Sequence, residues 1–473
     1  MGKVRNGYNL PEVPGYPDLR LSETTDGISA DDFILPAMIP YKGEVLNCLS
    51  HYWEEKFRGL FLSDHVAMGS RIDGFIPSDL RGDVGVQKRC AVIQGLDMLD
   101  GEFIVRGFLA GSGLKSYQKN RTICGQLLPE GLENGDQLPY PLFTPTTKAK
   151  EGHDQHMPID EAISRFGFGA ERLALQIYGA AAFEARKRGI IIADTKFEFG
   201  KDRQGRLRWA DEKLTPDSSR FWSLAEWTAS RGTGKAPSSH DKDPVRAWLR
   251  AVAAEHGYKE LDPKNPEHVK FVHSLEMPAS VILATSRRYR FALFALTGLM
   301  LEKYQRDRMG IKVEVPQRKI LVMVGSESDL PQLNEGMEYL RKNAHGKLIV
   351  LSCHRNSKEL LDLSGDVSFG YDVVIDAAGE AAQLPGVHKA QLQMYGREDV
   401  AVIGVGLKGK DREADDAARL SIKRLPGQPV ELDQNGEPYF GPEGFVSACR
   451  AAVDQEFMVK KYSYKPSRLV EEF

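Results

Sequence analysis

Acids and cations alternate within one short stretch of this chain, GIIIADTKFEFGKDRQGRLRWADEKLTPDSSRFW at residues 189–222. An apolar run from Ile190 to Ala193 ends in Asp194, Lys196 and Glu198. A glycine-containing turn then leads to a second carboxylate pair, Asp211 and Glu212. The pattern predicts two strands of a hairpin, each delivering acids near one end. Alternate side chains of a strand share a face, so Asp194, Lys196 and Glu198 are expected on one side. Such a face suits a divalent cation bound to nucleotide phosphates, because Mg²⁺ takes few protein carboxylates and completes its shell from phosphate and water. An exposed ion-pair ladder on a hairpin has the same spacing.

The elements that must position these residues fall into two sets. From Ser280 to Gln305 apolar residues interleaved with Arg and Lys predict one long helix. The polar stretch 306–317 reads as a linker, giving domains at 1–305 and 318–473. The second begins with KILVMVGSESD, a strand and glycine turn followed by a helix from about Pro331. Similar starts recur at LIVLSCHRNSKEL, YDVVIDAAGEAAQLPG and VAVIGVG. Alternating strands and helices predict an α/β three-layer domain with a parallel sheet. Ligands bind beyond the carboxyl ends of such strands, where Ser326, Ser328, Asp329, Ser352, His354 and Arg355 fall. The first domain mixes strand runs (GEFIVRGFLAG, GIIIADTKFEFG, RLRWADE) with helices near 159–187 and 243–257, and reads as α+β.

Composition narrows the class. The 473 residues are 41% hydrophobic and 27% charged, as in ordinary globular proteins of two or three domains. A net charge of −3 argues against a general nucleic-acid binder. No run is long or apolar enough for a membrane span, and none resembles a signal peptide. Cys48, Cys90, Cys124, Cys353 and Cys449 are scattered without a CxxC pair, which argues against disulfides and a zinc site and for a reducing, cytoplasmic compartment.

Longer motifs carry a family resemblance. GKVRNGYNL, TDGISADDFILPAMIPYKGEVLNCLS, FIVRGFLAGSGLKSY, LFTPTTKAKEGHDQ, IIIADTKFEFG, DEKLTPDSSRFW and SSHDKDPVRAWL occur in that order. With them the first 305 or so residues resemble the SAICAR synthetase family, ligases of purine synthesis. VMVGSESD, LSCHRNS, AAGEAAQLPG and LSIKRLPGQPV make residues 318 to about 457 resemble the aminoimidazole ribonucleotide (AIR) carboxylase/mutase family, with its flavodoxin-like fold.

The first resemblance implies that ATP, L-aspartate and carboxyaminoimidazole ribonucleotide (CAIR) give SAICAR, ADP and phosphate. A carboxylate does not accept an amine until it is activated, here as an acyl phosphate. On this resemblance Gly2, Lys3, Val4 and Arg5 form a phosphate-cradling turn, and Glu102 lies near the ATP ribose, though Glu102 also reads as an exposed strand residue. Lys196 lies beside the transferred phosphoryl, with Asp194 catalytic beside it, and Glu198 and Asp211 hold Mg²⁺. Ser29, Asp32, Arg106, Ser112, Lys148, His153, Asp154, Arg220, Lys242 and Arg246 match positions for CAIR and aspartate. Lys242 and Arg246, four residues apart on an expected helix, share a face. That pair also reads as a solvated face matched to Asp241 or Asp243. In the second domain Ser326, Ser328, Asp329, Ser352 and Arg355 match ribonucleotide-binding positions and His354 a proton carrier.

The chain departs from both patterns. Gly27 and Asp31 stand where the ligase family often has Arg and Phe, and Gln155 replaces an acid. In the second domain Cys353 replaces Ala, Glu380 a glycine and Gln383 a histidine. Three readings therefore stand: a ligase joined to a carboxylase or mutase; a ligase joined to a non-catalytic oligomerisation module; and an amide ligase recruited to a nucleoside-like metabolite. The carboxylase family's octamers imply a homo-oligomer built through the second domain.

Overall fold

The computed structural model describes residues 5–16, 18–147, 156–366, 368–460 and 462. Gly2, Lys3, Val4, Lys148, His153 and Asp154 lie outside the described residues. The chain divides into two units, Met1–Glu314 and Val315–Phe473.

Alternation along IIIADTKFEFGK creates the central strand of the first unit, Ile190–Lys201. Phe197 and Phe199 are fully buried, packed on Phe103 and Trp209, while Lys196 and Glu198 face the other way and are half-buried. Gly101–Phe108 pairs with this strand antiparallel, setting Asp194 opposite Arg106 and Lys196 opposite Ile104. Ser219–Ser223 pairs on the other side, with Asp194 opposite Arg220. The predicted hairpin forms with Leu207–Ala210, where Glu198 faces Ala210. Asp211 thus begins the turn one residue beyond Glu198's partner. A second antiparallel sheet has the order Arg5–Asn9, Leu19–Thr24, Cys90–Gln94, His65–Met68. Helices Phe168–Arg186 and Ala279–Thr297 bury Ile177, Tyr178, Tyr289 and Leu293 in the same core as Phe197.

The second unit is an α/β domain built on a parallel five-stranded sheet. Its strands, in space, are His345–Val350, Lys319–Val324, Val373–Ala378, Ala401–Gly406 and Tyr439–Phe440. In chain order this is 2-1-3-4-5, the flavodoxin-like arrangement. The central strands are apolar runs buried on both faces, as a sheet covered by helices on either side requires.

Three boundaries differ from expectation. The helix predicted over Ser280–Gln305 breaks: Gly298, at φ 75°, ends Ala279–Thr297, and Leu301–Asp307 follows separately. A left-handed residue halts a helix, and glycine adopts it without steric strain. Within 306–317, read as a linker, Met309 and Ile311 are buried in the first unit's core. The helix expected from Pro331 starts at Asn334, preceded by a 3₁₀ segment Glu327–Leu333. No helix among the described residues is long and apolar enough to cross a membrane.

Candidate functional site

The acids and cations of the 189–222 stretch are not one ladder. Lys196 donates to Glu102 at 2.6 Å, across to the neighbouring strand. Glu102 is buried, so its reading as an exposed strand residue is corrected. Burial alone would push the Lys196 ammonium down, but Glu102, with Glu212 and Glu198 beyond it, raises it instead. Lys196 therefore stays cationic at any physiological pH.

Asp194 occupies a different subsite. Its Oδ2 accepts from Arg106 at 2.8 Å and from Arg220. Arg106 is buried and every side-chain nitrogen donates: to Asp194, to Thr144 at 3.1 Å and to Ser112 at 2.9 Å. Asp194 and Arg106, expected at the chemistry and on the substrate respectively, are thus engaged with one another and with Arg220 and Ser112. Arg220 keeps more exposure, and a Cβ on Gly111 would lie 2.5 Å from its Nη2. Glycine there lets the guanidinium lie against the start of the helix Gly111–Asn120, in whose first turn Ser112 sits. Free amides at a helix start beside an arginine favour an anion.

The turn after the hairpin is tightly built. Asp211 and Leu214 have φ 55° and 52°, left-handed values that a leucine rarely takes. Leu214 is fully buried and its carbonyl accepts from Trp53 Nε1 at 3.2 Å. Asp64 accepts from the Asp211 amide at 3.2 Å and from Lys213 Nζ at 2.7 Å. Arg5 reaches this turn from the opposite sheet, 3.6 Å from Asp211 and 3.9 Å from Glu212. Its Nε and Nη2 are buried without a hydrogen-bond partner among the described residues.

That observation tests the fit of a metal-bound nucleotide. Orphaned guanidinium donors beside carboxylates need an anion, and hard carboxylate oxygens of Glu198 and Asp211 suit Mg²⁺. The residues fit such a group: Arg5 would meet phosphate oxygens, and Glu198 and Asp211 would hold Mg²⁺. Glu54, Asp64 and His65 also bring ligand atoms together, but the Lys213 ammonium already lies 2.7 Å from Asp64 and 3.9 Å from Glu54.

A third cluster was legible in the sequence only at Lys242. Asp217 Oδ2 lies 2.6 Å from Lys42 Nζ, its Oδ1 accepts from the Tyr289 hydroxyl, and Lys242 Nζ is 3.8 Å from Oδ1. Lys42, Lys242 and Tyr289 are buried, and the Asp217 side chain is only 4% exposed. Despite burial, Lys42 and Lys242 hold the Asp217 carboxyl well below its usual range. Lys42, Asp217 and Lys242 fall inside the quoted motifs IPYKGEV, LTPDSS and SSHDKD, which was the available signal; Tyr289 lies in a helix read only as apolar.

The expected helix at 243–257 spans Asp243–Glu255 with Lys242 capping it, so Lys242 and Arg246 do converge at one end. Arg246 bonds Asp241 at 2.9 Å and Asp243 at 3.2 Å, yet it is mostly buried, not on a solvated face. Ser29 lies in a two-strand hairpin, Gly27–Ala30 with Phe33–Met38. Asp31 and Asp32, at φ 47° and 67°, form its two-residue turn, a conformation aspartate tolerates better than phenylalanine. The Asp31 carboxylate lies 3.3 Å from Arg250 and 4.0 Å from Arg246.

In the second unit the expected residues gather at the strands' carboxyl ends. Ser326 and Ser328 share a hydrogen bond of 2.9 Å, Arg355 donates to the Gly325 carbonyl at 2.8 Å, and the Ser352 hydroxyl accepts from the Arg355 amide at 3.4 Å. His354 Nε2 lies 2.9 Å from Gln383 Oε1. Burial raises the Asp329 carboxyl, and Glu380 adds to the shift. Glu380 itself has φ 49°, a backbone that glycine adopts freely.

Both units resemble known protein families. The family model described as SAICAR synthetase matches residues 1–263, and that described as AIR carboxylase matches residues 319–433. Phosphoribosylaminoimidazole-succinocarboxamide synthase of Methylococcus capsulatus is 40% identical over 302 residues, 63% of this chain and 93% of the relative. The enzyme of the same name from Corynebacterium diphtheriae is 41% identical over 302 residues, 63% of this chain and 92% of the relative. The solved SAICAR synthase of Saccharomyces cerevisiae, complexed with SAICAR, superposes with a TM-score of 0.53 at 32% identity, covering 63% of this chain and 93% of that one. The first family model spans more than half of the chain: this protein belongs to the SAICAR synthetase family of ligases, and carries an AIR carboxylase-like domain behind the ligase domain.

Proposed function

We propose that the first unit joins L-aspartate to the carboxylate of CAIR with ATP, giving SAICAR, ADP and phosphate through an acyl phosphate. The observation that carries this reading is Arg5, with orphaned buried donors, facing Asp211 and Glu212 beside the Lys196–Glu102 pair. Arg5 and Lys196 bind and orient the transferring phosphoryl. Glu198 and Asp211 would hold Mg²⁺, which neutralises phosphate charge when bound. Ser112 and Arg220 receive the anionic groups of CAIR, kept in place by Arg106 and Asp194. Lys242, Arg246 and the Ser29–Asp32 hairpin face the aspartate side. Fixed charges in a water-poor site stabilise the transferring phosphoryl and protect the acyl phosphate from hydrolysis. Purified protein offered CAIR, aspartate and MgATP should release ADP and SAICAR in equal amounts. ADP release without SAICAR, or neither product, would reject the reading.

For the second unit we propose ribonucleotide binding at Ser326, Ser328, Asp329, Ser352 and Arg355, with His354 moving a proton during carboxylation of AIR or rearrangement of its N5-carboxy form. The His354–Gln383 contact supports an oriented imidazole. Formation of CAIR from AIR and bicarbonate, or from N5-carboxy-AIR, tests it. Failure with both substrates favours a domain kept for assembly, the homo-oligomer expected in a cytoplasmic enzyme of this kind.

A further inference from the structure

Amide formation poses a problem that the phosphate side does not address. Aspartate arrives as an ammonium, which has no lone pair to attack with. Some group must take its proton.

The Asp217 cluster has two lysines and a tyrosine hydroxyl around one carboxylate. Lys42 is fully buried and lies against Oδ2, and Tyr289 donates to Oδ1. Both carboxylate oxygens are thereby engaged, so Asp217 is a poor proton acceptor. Lys242 Nζ stands 3.8 Å away and has no hydrogen-bond acceptor among the described residues. The groups facing it are Asp217 and Glu212 from the turn, Lys42 from Lys42–Lys56, Tyr289 from Ala279–Thr297 and Arg246 from its own helix. A proton on Lys242 would add a second buried ammonium beside Lys42 and Arg246, with both oxygens of Asp217 already engaged. Its neighbour His240 offers no substitute. That ring is packed edge-on to Phe291, and burial lowers it to about 4.

We propose that Lys242 takes the proton from the aspartate ammonium before that amine attacks the acyl phosphate. The inference rests on the ligase reading and deepens it. The ammonium N–H breaks and its proton joins the Nζ lone pair. The freed amine lone pair forms the C–N bond, and the C–O bond to phosphate breaks with its electrons on the leaving phosphate. The second proton lost by nitrogen goes to a phosphate oxygen. Burial lowers the Lys242 ammonium, Asp217 opposes that, Arg246 and Lys42 lower it further and Glu212 opposes them, leaving a net lowering that eases loss of the Nζ proton.

The test separates proton removal from charge. Full-length wild type, Lys242→Arg and Lys242→Gln are given CAIR and MgATP with either aspartate or hydroxylamine, a nucleophile already neutral near neutral pH. In Lys242→Arg, aspartate ligation should fall by about 100-fold or more in kcat, the scale of a lost general base. Hydroxylamine-dependent ADP release should fall far less than aspartate ligation, so that the two rates part. Wild-type kcat should level off with rising pH, whereas that of the variant keeps climbing as free amine accumulates. Lys242→Gln should show the same partition in kcat, which keeps the comparison available if the arginine variant does not fold. Near-normal aspartate kcat in the arginine variant, or a change in KM alone, would show that Lys242 only binds charge. Equal loss with both nucleophiles in both variants would place it in the phosphoryl step. Absence of ADP release by wild type with either nucleophile would overturn the ligase reading and this one with it.

Discussion

Lys196 and Asp211 stand on the phosphate side of the site, where charge develops as the phosphoryl group moves. Lys196→Ala and Asp211→Asn should each lower ligase turnover by about 10²–10³ with the fold intact, the scale of a lost electrostatic group. Turnover above half of wild type would remove that residue from the phosphate site. Arg220 differs, because its planar fork meets Asp194 on one side and faces the Gly111–Asn120 helix start on the other. Arg220→Lys keeps the charge and loses the fork, so CAIR affinity should drop about tenfold, the equivalent of one lost charge-assisted bond. Unchanged affinity in a binding titration would make Arg220 structural. Asp217 governs the acid side of stability. Its folded carboxyl titrates below its unfolded value, so its contribution is present above about pH 4 and is lost as pH falls toward the folded value. Asp217→Asn should therefore lower the melting temperature near neutrality and flatten its acid-side fall. An identical acid limb in wild type and variant would contradict the pairing seen here.

The turn 211–218 shows how an element, rather than a residue, makes the site. Asp64 grips it through the Asp211 amide and the Lys213 ammonium, both partners of that ion pair being buried. Lys213→Met leaves Asp64 buried without its cation and should destabilise the first unit by about 3–5 kcal/mol, read from the denaturant midpoint. A loss below about 1 kcal/mol would mean that water replaces the lysine. The hairpin beside this turn was legible from alternation alone, because period-two burial writes itself directly into IIIADTKFEFGK. So were the parallel strands of the second unit, written as short apolar runs between glycines. The grip itself was not. Asp64 and Lys213 are 149 positions apart, and Lys42 meets Asp217 only because a helix and a turn converge in the folded core. Local pattern also overran the Gly298 break, since both helices are apolar enough to continue one another. Asp376 went unnoticed inside an apolar strand, where the ring of His388 accompanies it at 3.0 Å in a fully buried pair.

At the scale of the molecule, the chain joins two units with separate cores. Domains joined this way keep their own chemistry unless a site is shared. His354 lies in the second unit, at the carboxyl end of the sheet, and touches Gln383 of that same unit. An imidazole can both accept and donate a proton, as transfer to and from an imidazole carbon requires. His354→Ala should therefore abolish any CAIR formation while ligation of supplied CAIR stays within a few-fold of wild type. Measuring both reactions on one full-length preparation makes the comparison internal. If the variant also stops ligating supplied CAIR, the two units form one catalytic site and the division argued here fails. If wild type forms no CAIR from either carboxylation substrate, the departures at Glu380 and Gln383 acquire a physical meaning. A carboxylate on a left-handed backbone beside Asp329, where an anionic ribonucleotide must approach, would repel the ligand, and an amide in place of a second imidazole could not relay a proton. Glu380→Gly should then improve ribonucleotide binding by the second unit, because it removes the charge and relieves the backbone in a single change.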